Sequence, residues 1–154
     1  MSARSMKFTA VPVAFFLYTL FVSAGSAETR IADDKGGSVG KYLLMFSEMR
    51  DSGQHVVIDG DCLSACTLVT AMLPASRVCV TDRAALGFHA GWVDDEAGNR
   101  VVSPEGTRLL FLLYPPKIRS WITHHGGLGT RMLVLRGREL ANFYPLCGVA
   151  RATN

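Results

Sequence analysis

The residues from His55 to Thr67 constrain the fold more than any others in the chain. His55-Val56-Val57-Ile58 is a short apolar run rich in β-branched residues, and Gly60-Asp61-Cys62-Leu63-Ser64-Ala65-Cys66-Thr67 follows it and opens a helix-like stretch. A strand that turns sharply through Gly60 into a helix presents the side chain at the turn on the carboxyl edge of a sheet. Ser64 takes that place. Upstream, Thr29-Arg30-Ile31-Ala32 is a strand candidate that ends in Asp33-Asp34-Lys35-Gly36-Gly37. Ser38 then reads as an N-cap, with Val39, Tyr42, Leu43, Phe46 and Met49 at helical spacing before Asp51-Ser52-Gly53 ends the run. Strand, helix, strand in this order predicts a β-α-β unit with parallel strands, and so an α/β fold.

Beyond the turn, a short buried helix is expected from Ser64 to about Met72, stopped before Pro74. Val78-Cys79-Val80 and Ala84-Ala85-Leu86-Gly87-Phe88 read as further strands. The polar segment from Asp94 to Arg100 reads as a loop over or beside the turn. Ser103-Pro104-Glu105 opens a helix that runs through Leu109-Leu110-Phe111-Leu112-Leu113-Tyr114 until Pro115-Pro116 breaks it. A second helix is expected from Lys117 to about His124, stopped by Gly126-Gly127, and a third helical piece from Thr130 to Leu135. The C-terminal part is thus expected to be helical.

The N-terminus is organised differently. Arg4 and Lys7 precede an uncharged run from Phe8 to Ala27 that closes on Ala24-Gly25-Ser26-Ala27. This pattern predicts a signal peptide over residues 1–27, cleaved after Ala27, and a single domain over residues 28–154. The alternative is an uncleaved anchor, since about 20 uncharged residues can just span a bilayer. Either way the domain is exported, periplasmic or secreted in the first case and held at the inner membrane by residues 8–27 in the second. Of 16 basic and 13 acidic residues, the first 27 hold two basic and no acidic ones, leaving 14 against 13. Near-neutral charge offers no footprint for nucleic acid.

Cys62, Cys66, Cys79 and Cys147 all lie in the exported part, and an even number of cysteines in an oxidising compartment favours two disulfides. Three pairings are open. A bridge tying Cys147 back to the core is favoured, because a C-terminal tail is otherwise poorly held. The rival is zinc bound by Cys62, Cys66, Cys79 and His89, a spacing that fits no common template.

Acyl transfer needs a nucleophile, a base for its proton and donors for the oxyanion. Ser64 can supply the first, His89 the second, and the backbone around Gly36 and Gly37, at a helix N-terminus, the third. Each residue also has a plainer reading. Ser64 can be a helix cap, His89 a satisfied core histidine, and Gly36-Gly37 a turn. His124-His125 suits a helix C-terminus better than a metal, because neighbouring helical residues point in different directions. Trp92 and Trp121 can line a groove or pack in the core.

The set Asp34-Lys35-Gly36-Gly37-Ser38-Val39, a helix ending Met49-Arg50-Asp51-Ser52-Gly53, then Val56 to Thr67 with Cys62-Leu63-Ser64-Ala65-Cys66, then Gly87-Phe88-His89, resembles the Clp protease and crotonase fold over Ile31 to Trp92. It is most similar to exported bacterial members with a Cys-x-Ser-Ala-Cys segment. The resemblance implies Ser64 as nucleophile, His89 as general base and Gly36 and Gly37 as the oxyanion hole. It also implies a downstream acid, for which Glu139 is the best-placed residue and Asp94 and Asp95 are alternatives. Asp33-Asp34-Lys35 stands in place of the family's Asn-Ser-x lead-in, and the strands that normally precede it are missing, so the expected domain is a small, trimmed core. The implied activity is hydrolysis of a peptide or small ester, with no cofactor and no metal. The alternative is a non-catalytic binding or scaffold protein of the same fold.

Overall fold

The computed structural model describes residues 27–148. The predicted signal segment lies almost wholly outside the described residues. Among those described, no helix is long and apolar enough to cross a membrane.

The chain is mixed α/β, built around one strand. β2 (His55–Leu63) pairs along one edge with β1 (Glu28–Asp34), in parallel, and α1 (Val39–Asp51) connects the two. Along its other edge β2 pairs in parallel with two short strands in succession. β3 (Val78–Val80) takes Val56 to Ile58, and β4 (Ala85–Phe88) takes Asp61 to Leu63. β7 (Leu133–Arg136) closes the sheet antiparallel to β4, with Leu86 opposite Leu135.

The change of partner coincides with a bulge. Ile31 faces Ile58, but Asp33 faces Asp61, so β2 spends one extra residue across Asp59-Gly60. Gly60 is needed there, since a Cβ on it would stand 1.9 Å from the carbonyl oxygen of Ala32. Sequence reasoning ended this strand at Ile58 and turned the chain at Gly60. The strand instead bends at Gly60 and continues to Leu63, which moves the turn to Ser64. From there the chain winds through a 3-10 turn, Ser64–Leu68, into α2 (Val69–Met72).

One other expectation changes. Thr130 to Leu135 was expected to be helical, but Leu133-Val134-Leu135-Arg136 alternates buried and exposed, which is the period of a strand, and it forms β7. The polar segment from Asp94 to Arg100 forms a loop as expected, at the tip of a hairpin, β5 (Trp92–Asp94) and β6 (Arg100–Val102), with Asp94 opposite Arg100. The helices α3 (Pro104–Leu113) and α4 (Pro116–His124) meet expectation, and α5 (Gly137–Ala141) follows β7.

Burial explains the packing. Val56, Ile58, Leu86 and Leu135 from the sheet, Phe46 from α1, Leu68 and Val69 from the turn, and Ile118 and Ile122 one helical turn apart on α4 are essentially inaccessible to water. Two disulfides complete the frame. Cys62 joins Cys66 across the turn, and Cys79 joins Cys147, which ties the tail to β3 as expected. Val80 N–H donates to Pro145 O, and Cys147 N–H to Val80 O, both at 3.0 Å, so the tail runs alongside β3 before the bridge closes.

Candidate active site

Ser64 is the only non-glycine residue with a positive φ, 57°, among those described. Such backbone is strained for a side chain with a Cβ, and it gathers at functional sites. The capping role open to Ser64 is not the one it takes. Leu63 stands at the N-cap of the 3-10 turn, and no side chain caps it. Gly36, at φ 80°, lies directly against the turn: a Cβ on it would stand 2.6 Å from Ser64 Cβ, 2.5 Å from Leu63 O and 2.9 Å from Ala65 N. The residue type at position 36 is therefore set by its positive φ and by contact with the Leu63–Ala65 turn.

A cavity of about 930 Å³ opens beside this turn. Gly36, Gly37, Ser64, Ala65 and His89 all line it, with Trp92, Asp94 and Arg100 from the hairpin and Tyr114 from the end of α3. Residues that the sequence places far apart thus share one space. No hydrogen bond joins Ser64 Oγ to His89 within the described residues.

His89 follows the last residue of β4 and is gripped on both sides. Phe88 is buried, edge-on to Tyr114 with ring centroids 5.2 Å apart, and Ala90 N–H donates to Gly129 O at 2.8 Å. The ring places Nδ1 2.6 Å from Ala90 O and 2.9 Å from the Trp92 indole nitrogen. A carbonyl only accepts, so the Ala90 contact requires a proton on Nδ1 and leaves Nε2 with its lone pair; acceptance from Trp92 requires the opposite tautomer. The Ala90 arrangement is the one suited to a base.

The backbone N–H groups expected beside the turn are not equally free. Gly36 N–H donates to Asp34 Oδ1 at 2.7 Å, and the Tyr42 hydroxyl donates to the same oxygen, so Gly36 has no N–H to offer. Desolvation, reinforced by the Asp34 carboxylate, pushes the Tyr42 phenol up to about 12 and keeps it a donor. Gly37 N–H has no partner among the described residues. Ala65 N–H belongs to the first turn of the 3-10 segment, where N–H groups lack intrahelical partners. Gly37 and Ala65 are therefore the available pair. Sequence reasoning did not name Ala65 as a candidate donor, although its position immediately after the serine was a signal. The acidic lead-in is also occupied: Asp34 holds Gly36, and Asp33 Oδ1 accepts from Asp61 N–H.

None of the three candidate acids is bonded to His89. Glu139 lies on α5, outside the residues lining the cavity, and accepts from Trp121 Nε1 at 2.6 Å. Asp95 organises the hairpin tip, taking Asn99 N–H at 2.7 Å and Ala97 N–H at 3.0 Å, and these bonds hold its carboxyl below the usual range. Asp94 does line the cavity.

All four cysteine sulfurs are in disulfides, which removes the proposed zinc set. Within the described residues no group of three or more His, Cys, Asp or Glu is placed to hold a metal. His124 and His125 each hydrogen-bond a carbonyl one turn back, and His125 stacks on Trp121 with centroids 4.2 Å apart. Trp121 is in the core, whereas Trp92 is partly exposed at the cavity. No protein-family model and no curated protein matches this chain.

Proposed function

We propose that this protein is an exported serine hydrolase of the Clp protease and crotonase type, periplasmic or secreted, cleaving a peptide or small ester. The observation that carries the reading is the positive φ of Ser64 at the carboxyl end of β2, against a cavity that His89 and Gly37 also line. In this reading Ser64 Oγ attacks the substrate carbonyl while His89 Nε2 takes its proton. The Ala90 carbonyl holds the Nδ1 proton, in the place usually filled by a carboxylate. Gly37 N–H and Ala65 N–H receive the oxyanion, helped by the positive end of α1. His89 then protonates the leaving group, and water, deprotonated by the same nitrogen, releases the acyl group from Ser64. Catalytic hydrogen bonds commonly tighten only with substrate bound, which accommodates the open Ser64–His89 pair.

The test is capture by a fluorophosphonate, with the adduct mapped by mass spectrometry. Disulfide-intact protein is expected to be labelled on Ser64, Ser64→Ala to be unlabelled, and His89→Ala to be labelled about 100-fold more slowly. Intact protein that takes no label overturns the reading. The second reading, a non-catalytic binding protein of the same fold, draws on the missing Ser64–His89 bond and the engagement of Glu139 by Trp121. It predicts no adduct on any serine.

A further inference from the structure

A serine with left-handed backbone needs something to hold it, and proton counting along a short chain of hydroxyls identifies a holder. Thr67 Oγ1 lies 2.6 Å from the carbonyl oxygen of Ser64 and 2.7 Å from the hydroxyl of Tyr114. The carbonyl can only accept, so the single proton of Thr67 goes to Ser64, and Tyr114 must donate to Thr67. Thr67 is fully buried and Tyr114 is 4 % exposed, so the bond between their hydroxyls is shielded from water, while the bond to the Ser64 carbonyl is part-buried. Tyr114 comes from the end of α3, 47 residues from Thr67, and its ring packs against Phe88, the residue before His89. One side chain therefore touches the supports of both halves of the site.

We propose that Thr67 and Tyr114 are positioning residues: the relay from Tyr114 through Thr67 to the Ser64 carbonyl fixes that peptide plane and thereby holds Ser64 in its left-handed conformation beside the cavity. The competing account is an ordinary threonine hydroxyl bond to the carbonyl three residues back. Thr70 makes just such a bond, to Thr67 O at 2.8 Å, and there the receiving residue is not strained. What sets Thr67 apart is that the carbonyl it holds belongs to the one strained non-glycine residue described. The catalytic consequence rests on Ser64 being the nucleophile; the conformational claim does not.

The experiment compares Thr67→Val, Thr67→Ser and Tyr114→Phe with the parent, all disulfide-intact. Two quantities are read: the Ser64 ¹³Cα and ¹³Cβ chemical shifts, which report the sign of φ, and fluorophosphonate capture resolved into reagent affinity and inactivation rate. Thr67→Val and Tyr114→Phe are expected to shift the Ser64 resonances toward right-handed values. They should also slow inactivation about tenfold at unchanged reagent affinity, while Thr67→Ser matches the parent. Unmoved resonances in Thr67→Val overturn the proposal, as does an inactivation rate that stays at the parental value. If the parent itself is not captured, the hydrolase reading fails separately, and the resonances alone decide the conformational claim. If Thr67→Val does not fold, Tyr114→Phe, which keeps the ring in place, decides by the same criteria.

Discussion

Ser64 and Gly36 are packed directly against each other, and each explains the other. Left-handed backbone costs an ordinary residue about 1–2 kcal/mol, so the chain accepts strain at position 64. It avoids the same cost at position 36 by having no Cβ there. Gly36→Ala would meet both penalties, a φ of 80° and a methyl 2.5 Å from Leu63 O, in a place bounded by backbone that cannot swing aside. The expected loss is about 3 kcal/mol of unfolding free energy, read from the shift in urea midpoint at constant m-value. Phosphonate capture should fall with it, because the new methyl displaces the Ser64 turn. By contrast Gly37→Ala, whose Cβ would have ordinary contact with Tyr42 at 3.7 Å, is expected to be far milder in stability.

At the scale of elements, the bulge in β2 is held by charge as well as by close packing. Asp59, at the bulge, receives Arg30 from β1 at 2.7 Å, and Thr81 Oγ1 and Arg83 from the β3–β4 connection, both at 2.7 Å. Arg83 first, then Thr81 and Arg30, hold its carboxyl well below the usual range. A depressed folded-state pKa contributes stability that is fully present above the unfolded value, near 4, and is lost as pH falls toward the folded value. Thermal unfolding should therefore show Tm falling as pH drops below about 4. The fall should be shallower in Asp59→Asn, which keeps the shape and removes the titration. Identical pH profiles for the two proteins would show that the cluster does not contribute. The same cluster explains why β3 and β4 stay in line along β2: the residue that breaks the ladder anchors the segment between them.

Across the whole molecule, the two disulfides do different work because they close loops of very different length. In the chain-entropy account, bridging residues 68 apart stabilises by about 4 kcal/mol and bridging residues 4 apart by about 2 kcal/mol. Replacing Cys79 and Cys147 with alanine is thus expected to lower stability roughly twice as much as replacing Cys62 and Cys66, compared by urea unfolding. The ordering should reverse for function: the distant pair holds a tail, while the short pair encloses Ser64 and should affect capture more. Both bridges also set a chemical condition on the compartment, since a chain that keeps four cysteines paired belongs in oxidising surroundings.

What was legible in the sequence was whatever depends on neighbours along the chain. The β-α-β unit, α1, α3 and α4 follow from hydrophobic period and stop signals. A strand-to-helix turn presenting Ser64 and the prospect of two disulfides were likewise local readings, although the strand runs past Gly60 to Leu63 before it turns. β7 was misread because four residues of alternating burial acquire that pattern only once β4 is there to pair with them. The site divided in the same way. Ser64, His89 and Gly37 could be named as candidates from motifs, but whether an N–H is free depends on which side chain reaches it, so only the folded chain decided that Asp34 takes the N–H of Gly36. Glu139 was chosen by position in sequence and lies with Trp121 instead, because the path from β7 to α5 carries it away from the cavity. Tyr114 had no local signal, since a tyrosine before two prolines reads as a helix end, and only the packing of α3 brings its hydroxyl to Thr67. Local order along the backbone is encoded in spacing; convergence of distant side chains is decided by which surfaces must be buried together.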